Sequence, residues 1–448
     1  MSVSTGDIRR TLEAIDSLVL YRVVFEDPIL GDFKRVLESC LYDDTVSKGL
    51  FYGVLEKLIS QENSCDSADI DIFKNHLLNT VLATENSFSL FSEKNPYQNI
   101  EDLLVRAVER DLHLLKIVYD FDLKQLEGFI TVLDTKHNSY PPLGNLIMKQ
   151  KVNLPYPEYY FQKRASLKGA LIYSTNWSEN VRDFYNYYRE TGSGKFARYW
   201  AFKWSSYRDS QWLQGIANPD PVKMDNLVGY EEQKKEVLRN TRQFVCNTGA
   251  NNMLLYGDRG TGKSSTVKSL VHIFGAEGLR IIEISKHDLL SLHKLVAEVQ
   301  GRAQKFIIFI DDLSFEEDET EYKDLKALLE GSIASPPDNV LVYATSNRRN
   351  LVREYFNDRE SDEVGRQDTY QEKLSLADRF GIKLVYSAPD KEEYLRTVDD
   401  MAEKSGIKIN KNELHELALR WVLWHNARSG RTAHQFINDL KGQMNQEE

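Results

Sequence analysis

Two short stretches hold the residues best suited to chemistry. The first is "GDRGTGKSS", Gly257 to Ser265, which follows the apolar run "NMLLY" and precedes the helical pattern "TVKSLVHIF". Glycines at 257, 260 and 262 let a backbone curl until its amides point at phosphate oxygens. The helix behind them offers the positive end of its dipole, Lys263 a point charge for β- and γ-phosphates, and Ser264 a hydroxyl where Mg²⁺ would sit. Asp258, Arg259, Thr261 and Ser265 complete the loop. The second stretch is "FIIFIDDLSFEEDE", Phe306 to Glu319, in which five large apolar residues end on Asp311 and Asp312. Ionised carboxylates are costly to desolvate, so a strand buried on both faces does not normally end this way.

Alone, the acidic pair would be no more than the start of the acidic loop "SFEEDE". Beside the phosphate loop it acquires a role. Asp311, at the carboxyl end of a neighbouring parallel strand, faces the same crevice and can hold Mg²⁺ with Ser264 through oxygen ligands. Asp312 points elsewhere, as consecutive strand residues must, and is placed to orient or deprotonate a water that attacks a γ-phosphate. Asn347, at the end of "LVYATSNRR", is a candidate partner for that phosphate or water. Arg379, in "LSLADRFGIKLVYSAPD", would by itself be a solvated surface cation.

The elements needed to position these groups are present from about residue 221. Five short apolar or β-branched runs, "NMLLYG", "LRIIEIS", "FIIFIDD", "VLVYATS" and "IKLVYSA", alternate with helical segments. That alternation predicts a parallel α/β sheet covered on both faces, spanning 221–388. Residues 389–448 return to helix alone. Residues 1–145 form an all-α N-terminal domain: in "NIEDLLVRAVERDLHLLKIVYDF", Leu104, Val108, Leu112, Leu115 and Tyr119 recur every three or four positions, with Asn99 as the expected helix cap.

Between them, 146–220 is a connecting segment rich in Tyr, Trp, Phe, Lys and Arg, with "ANPDPV" at 217–222 as its break. Its aromatics interleave with basic residues over 159–212, which could stack bases and contact phosphates. Against that stands a packing role, which weighs more because large aromatics mostly serve cores and interfaces. "TGSGK", Thr191 to Lys195, lacks a preceding apolar strand and a leading glycine, and reads as a turn between helices.

The composition is that of a soluble globular chain: 448 residues, 41% hydrophobic, 28% charged. A formal net charge of −11 argues against nucleic-acid binding through the whole surface. The three cysteines, Cys40, Cys65 and Cys246, are too scattered for a disulfide framework or a metal cluster. With no signal-like or membrane-spanning apolar run, a cytoplasmic location and no membrane partner are expected.

Residues 221–448 resemble an AAA+ ATPase module, a P-loop NTPase fold with a helical lid. "GDRGTGKSS" resembles Walker A, "FIIFIDD" Walker B, and Asn347 the sensor 1 position. "LADRFG" is similar to the arginine-finger segment, "RSGRTAHQF" to the sensor 2 region with Arg431 ahead of Arg428, and "DNLVGYEEQKKEVL" to the adenine-contacting segment at Leu227, Val228 and Gly229. The resemblance implies ATP and Mg²⁺ as cofactors, Asp312, Asn347, Arg379 and Arg431 as catalytic residues, and a homo-oligomer in which Arg379 serves a neighbour's ATP. It also implies action as a switch or loader on a protein client. Alternatives are a nucleotide-binding scaffold with little turnover and a nucleic-acid-remodelling ATPase. The Asp-Asp ending looks more like replication initiators and helicase loaders than unfoldases, and the overall pattern is most similar to an uncharacterised bacterial family described simply as ATP-binding. Where most such motors have Glu, this chain has Asp312, one methylene shorter, which implies slow, partner-stimulated hydrolysis. The aromatic-apolar-Gly pore loop of unfoldases is missing after "LRIIEIS". The charged stretch "REYFNDRESDEVGRQDTYQE" is a solvated loop or a partner contact.

Overall fold

The computed structural model describes residues 4–42, 47–61, 71–133, 158–205, 213–315, 322–330, 337–347, 376–425 and 428–444. The chain divides into two compact units, Met1–Tyr199 and Trp200–Glu448. The charged stretch before Arg379 and Cys65 lie outside the described residues. Among the described residues, no helix is long and apolar enough to cross a membrane.

The first unit is all helix in its described residues. Its helices bury one continuous apolar cluster, from Ile8 and Phe33 to Val108, Leu112, Leu115 and Tyr188. The helix over Asp102–Asp120 uses the expected face, but Glu101 occupies its N-cap position and makes no side-chain cap. Asn99 instead closes a 3₁₀ turn, Tyr97–Asn99, by donating its N–H to the Pro96 carbonyl, because proline at 96 fixes the chain for a tight turn before the helix begins. Tyr160, Phe184, Tyr185, Tyr187 and Tyr188, from the aromatic-rich segment, are buried in this unit's core. The Tyr188 hydroxyl donates to the Val81 carbonyl and the Trp177 indole N–H to Leu171 O. Those rings present no open face to a base. "TGSGK" is a turn: the helix Val181–Thr191 ends there, Gly192 takes φ 80°, and the helix Gly194–Arg198 follows.

Among its described residues, the second unit is built on a seven-stranded sheet. Its strands are β1 (Ala201–Trp204), β2 (Leu213–Ile216), β3 (Met253–Gly257), β4 (Leu279–Ile284), β5 (Lys305–Ile310), β6 (Val340–Ser346) and β7 (Ile382–Tyr386). The spatial order is β2-β1-β4-β5-β6-β3-β7, with only the β1–β2 pair antiparallel. The expected class, a mostly parallel AAA-like sheet with helices behind an all-helical N-terminal region, is thus what the structure shows. Two strands, β1 and β2, fall inside the stretch whose composition marks it as a connector. Another difference bears on the site: the strand carrying Asp311 is not the immediate neighbour of β3, since β6 lies between them. Chain reversal through helices allows a strand from later in the sequence to insert there.

The register aligns the carboxyl ends. Tyr256 pairs with Ser346, Gly257 with Tyr386 and Ile310 with Ala344, so one step further along sets Asp311 beside Thr345. The helix Lys263–Phe274 rises from the loop after β3 and buries Val267, Leu270, Val271 and Phe274 against the sheet. Beyond β7, the helices Lys391–Lys404, Lys411–His425 and Gly430–Met444 form a small core of their own around Tyr394, Val398, Ala418, Phe436 and Ile437. Asp390 starts that bundle with a capping box, its side chain accepting from Glu393 N while its own N–H donates to the Glu393 carboxylate.

One of the buried charges of the first unit ties distant segments together. Asp111, fully buried, accepts backbone N–H bonds from Val19 (3.1 Å), Leu20 (2.6 Å) and Tyr21 (2.9 Å), pinning a loop 90 to 92 residues upstream. Removing a charged acceptor strands these donors. Asp111→Ala should therefore cost on the order of 3 kcal/mol, read as a lower urea midpoint for the unfolding transition. A midpoint within error of wild type would show that water satisfies the freed amides.

Candidate active site

The phosphate-loop segment starts at a forced close approach. Gly257 has φ 132°, and a Cβ there would lie 2.2 Å from the Tyr386 carbonyl oxygen. With that atom absent, the next residue can donate its backbone N–H to the same carbonyl, Asp258 N to Tyr386 O at 2.8 Å. Gly260 and Gly262 also take positive φ, 75° and 89°, which brings the loop round to the N-terminus of the helix at Lys263. The Thr261 hydroxyl donates to Asp258 O at 2.8 Å and holds the curl closed.

Lys263 is buried, and its ammonium donates to the carbonyls of Gly257 (2.9 Å) and Asp258 (2.6 Å) and to Asn347 Oδ1 (3.3 Å). Burial lowers its pKa, opposed by the attraction of Asp258, Asp312 and Asp311. One helical step on, Ser264 Oγ donates to Asp311 Oδ1 at 2.5 Å. The same oxygen accepts from Thr345 Oγ1 at 2.6 Å and from the backbone N–H of Asp312 at 3.1 Å. All three bonds fall on Oδ1, so the other carboxylate oxygen of Asp311 remains open to a further partner. This donor set suits a small hard cation, which takes oxygen ligands and retains water. Among the described residues no group of three or more His, Cys, Asp or Glu could hold a metal. A cation at Ser264 and Asp311 would therefore complete its shell with phosphate and water oxygens.

Asp312 departs from strand geometry. It takes φ 52°, rare for a residue with a Cβ, and the conformation is held by its N–H donating to Thr345 Oγ1 at 2.9 Å. Its carboxylate is turned outward and accepts from Asn347 Nδ2. The two carboxylates thus face different partners, and Asn347 bridges Lys263 and Asp312.

Around this cluster lies a cleft of about 1520 Å³, above the roughly 300–1,000 Å³ of typical small-molecule pockets. Arg259 to Ser265, Asp311, Asp312 and Asn347 line it, as do Leu227, Val228 and Gly229. From the helical bundle come Arg431, whose N–H donates to Gly260 O at 3.2 Å, and Arg396 on the helix Lys391–Lys404. Arg428 does not line the cleft. Arg379 stands apart: it lies three residues before Ile382, which pairs with Met253 at the amino ends of the strands, and lines a second cleft with Gln243, Asn251 and Gly381.

Three contributors escape a motif-based reading. Thr345 occupies an ordinary position of the apolar run "VLVYATS", and only the β5–β6 register brings it to Asp311. Arg396 belongs to an amphipathic helix whose polar face could point anywhere until the bundle is placed. Tyr230, next to the expected adenine-contacting residues, lines the cleft with a left-handed φ of 58°. Its hydroxyl donates to Ser387 O at 2.6 Å and its ring lies 4.8 Å from that of Tyr386. Burial, reinforced by Glu393 and Asp258, raises the Tyr230 pKa to about 12, so the hydroxyl stays a donor at neutral pH.

No curated protein matches the chain. Among solved structures it is similar to the RuvB Holliday junction branch migration motor of Thermotoga maritima, at 15% identity over 49% of this chain and 72% of that one, with a TM-score of 0.32. It is also similar to the FIGL-1 AAA domain in complex with ADP, at 20% identity over 45% of this chain and 67% of that one, with a TM-score of 0.31. The family model described as "Protein of unknown function (DUF815)" matches residues 197–444, starting close to where the second compact unit begins. That match takes in more than half of the 448 residues, and the chain belongs to the DUF815 family.

Proposed function

We propose that this chain is a Mg²⁺-dependent ATPase of AAA+ type that works as a switch or loader on a macromolecular partner. The observation that carries the reading is the convergence of Lys263, Ser264, Asp311, Asp312 and Asn347 at the carboxyl ends of β3, β5 and β6. Neither a turn nor a solvated acidic loop calls for that set of bonds.

The residues divide the work. The loop amides from Gly257 to Ser265 and the helix N-terminus bind the phosphates. Lys263 moves from the carbonyls of Gly257 and Asp258 to phosphate oxygens. Ser264 and Asp311 would hold Mg²⁺, which supplies charge neutralisation at the β- and γ-phosphates. Asp312 orients the attacking water and accepts its proton, while Asn347, hydrogen-bonded to it, fixes the carboxylate's direction. Arg431, on the bundle, meets the phosphates from the other side of the cleft, and Leu227 to Gly229 flank the base. Arg379, at the far end of the strands, is offered to a neighbouring copy's ATP. A protein client and a homo-oligomer belong to this reading. A scaffold that binds ATP with little turnover is the outcome if hydrolysis is negligible with and without partners.

Lys263→Ala should weaken ATP binding by on the order of 100-fold or more, since charge-assisted bonds to two phosphates are lost at roughly 1.5–3 kcal/mol each. Wild-type affinity by titration calorimetry would remove the phosphate-loop assignment.

The carboxylates should separate. Asp312→Asn retains Mg²⁺·ATP but loses on the order of 10²–10⁴-fold in hydrolysis, whereas Asp311→Asn weakens the metal-dependent part of binding. Binding measured with Mg²⁺ and with EDTA distinguishes them; identical behaviour of the two variants contradicts the division of roles.

Arg379→Ala should bind ATP as wild type does and lose on the order of 10³-fold in turnover. Mixing it with Asp312→Asn should recover partial activity, because some interfaces then join an intact arginine to an intact acid. A wild-type rate per chain that is independent of concentration, from a monomer, rejects the trans arrangement.

A further inference from the structure

The strand β7 leads through Ser387, Ala388 and Pro389 into the helical bundle, so residues 386–389 are the joint between sheet and lid. Two elements that line the nucleotide cleft grip this joint. From the phosphate loop, Asp258 N–H donates to Tyr386 O at 2.8 Å, and Asp258 Oδ2 accepts the Ala388 N–H at 2.6 Å. At the start of the helix Glu231–Val245, Tyr230 OH donates to Ser387 O at 2.6 Å, and Gln233 Nε2, in its first turn, donates to Val385 O just before the joint at 3.0 Å.

A phosphate-binding motif does not need a carboxylate at its second position. An anion there stands in the loop that receives phosphate, which is electrostatically adverse. Asp258 nonetheless does not line the cleft, whereas Arg259 onward do. Its side chain is committed to the backbone of the joint. Meanwhile its own carbonyl, with that of Gly257, receives the Lys263 ammonium. The residue therefore has one side on the phosphate-sensing lysine and the other on the lid's attachment point. The lid returns to the same loop: Arg431 N–H donates to Gly260 O, and Ser429 leaves no room for a Cβ at Gly260.

We infer that Asp258 is a positioning residue that couples phosphate occupancy of the loop to the placement of the helical lid, through its hydrogen bond to Ala388 N–H. The inference rests on the ATP-binding reading above. When Lys263 turns to a phosphate, the carbonyls of Gly257 and Asp258 lose their cation and the loop re-seats. The Asp258 carboxylate carries that shift to residues 386–389. A ligand moves a second element only where it interacts differently with its two placements, and this bond supplies the difference.

The test is hydrogen exchange on the full chain, with and without Mg²⁺·ATPγS, comparing peptides over the phosphate loop (255–266) and the joint (384–392). In wild type both peptides should slow with nucleotide, the joint by about tenfold, a coupling near 1.4 kcal/mol. Asp258→Leu removes the acceptor; its loop peptide should still slow while its joint peptide responds less than twofold. Asp258→Asn keeps an oxygen acceptor without the charge and should restore the joint response to within about twofold of wild type, which a purely electrostatic or general folding role would not do. A wild-type-like joint response in Asp258→Leu overturns the coupling, as does a lost response in Asp258→Asn. If neither peptide of wild type responds to nucleotide, the ATP-binding reading itself fails and the inference with it.

Discussion

A carboxylate at the end of a buried strand is the constraint around which the second unit is arranged. β5 runs Phe306 to Ile310 without exposing any of those side chains, then delivers Asp311, half-buried, to the cleft at its carboxyl end. A half-buried charge so placed is met by donors. Three converge on one of its oxygens, from three separate parts of the chain: Ser264 on the helix after β3, Thr345 at the end of β6, and the following backbone amide. Satisfying that one oxygen fixes the order β5-β6-β3 at its carboxyl end. It also forces Asp312 into a left-handed turn and points its carboxylate at Asn347. The geometry suited to phosphate chemistry is then a by-product of hydrogen-bond accounting that the fold had to settle anyway.

How much of this was legible beforehand follows from whether a feature is local. The loop at 257–265 announces itself because glycine, lysine and serine act within a few residues of one another. Asp311 and Asp312 are conspicuous because apolar runs seldom end that way. Thr345 is invisible, since its meaning comes from a register between strands thirty-odd residues apart. β1 and β2 were hidden by length and composition: four residues each, β1 carrying the same aromatics and lysine that mark the connector and β2 only two apolar residues beside Gln214 and Gly215. Asn99 has the right chemistry for a cap, but Pro96 tightens the chain before the helix can start there. Asp258, read as one more member of a phosphate-binding loop, is turned to a different task by its neighbours in space.

The aromatic-rich segment shows the same contrast. Rings interleaved with basic residues suit base stacking and core filling equally well on paper. In the helical unit Tyr160, Phe184, Tyr185, Tyr187 and Tyr188 are buried while Tyr173 is exposed, and the Tyr188 hydroxyl is paired inside with both Tyr21 and Val81 O. Burial raises the Tyr188 pKa well above that of a free tyrosine. The guanidinium of Arg182, 4.2 Å over Tyr97, and the ammonium of Lys163, paired with Glu190, are used within the same unit. Basic character in a sequence is therefore not the same as basic surface left for a polyanion.

The antiparallel hairpin at the sheet's margin has a consequence for solution behaviour. Without β1, strand β4, which is almost wholly buried, would expose a row of unpaired amides and carbonyls along one side of a six-residue strand. Such a border invites addition of any extended chain, including another copy's. β1 covers it, and β2 turns back to cover β1, leaving as the outermost strand only four residues. The hairpin thus acts as a terminator of sheet growth. Its removal would expose the protein to edge-to-edge aggregation even if every residue of the cleft around Lys263 were kept.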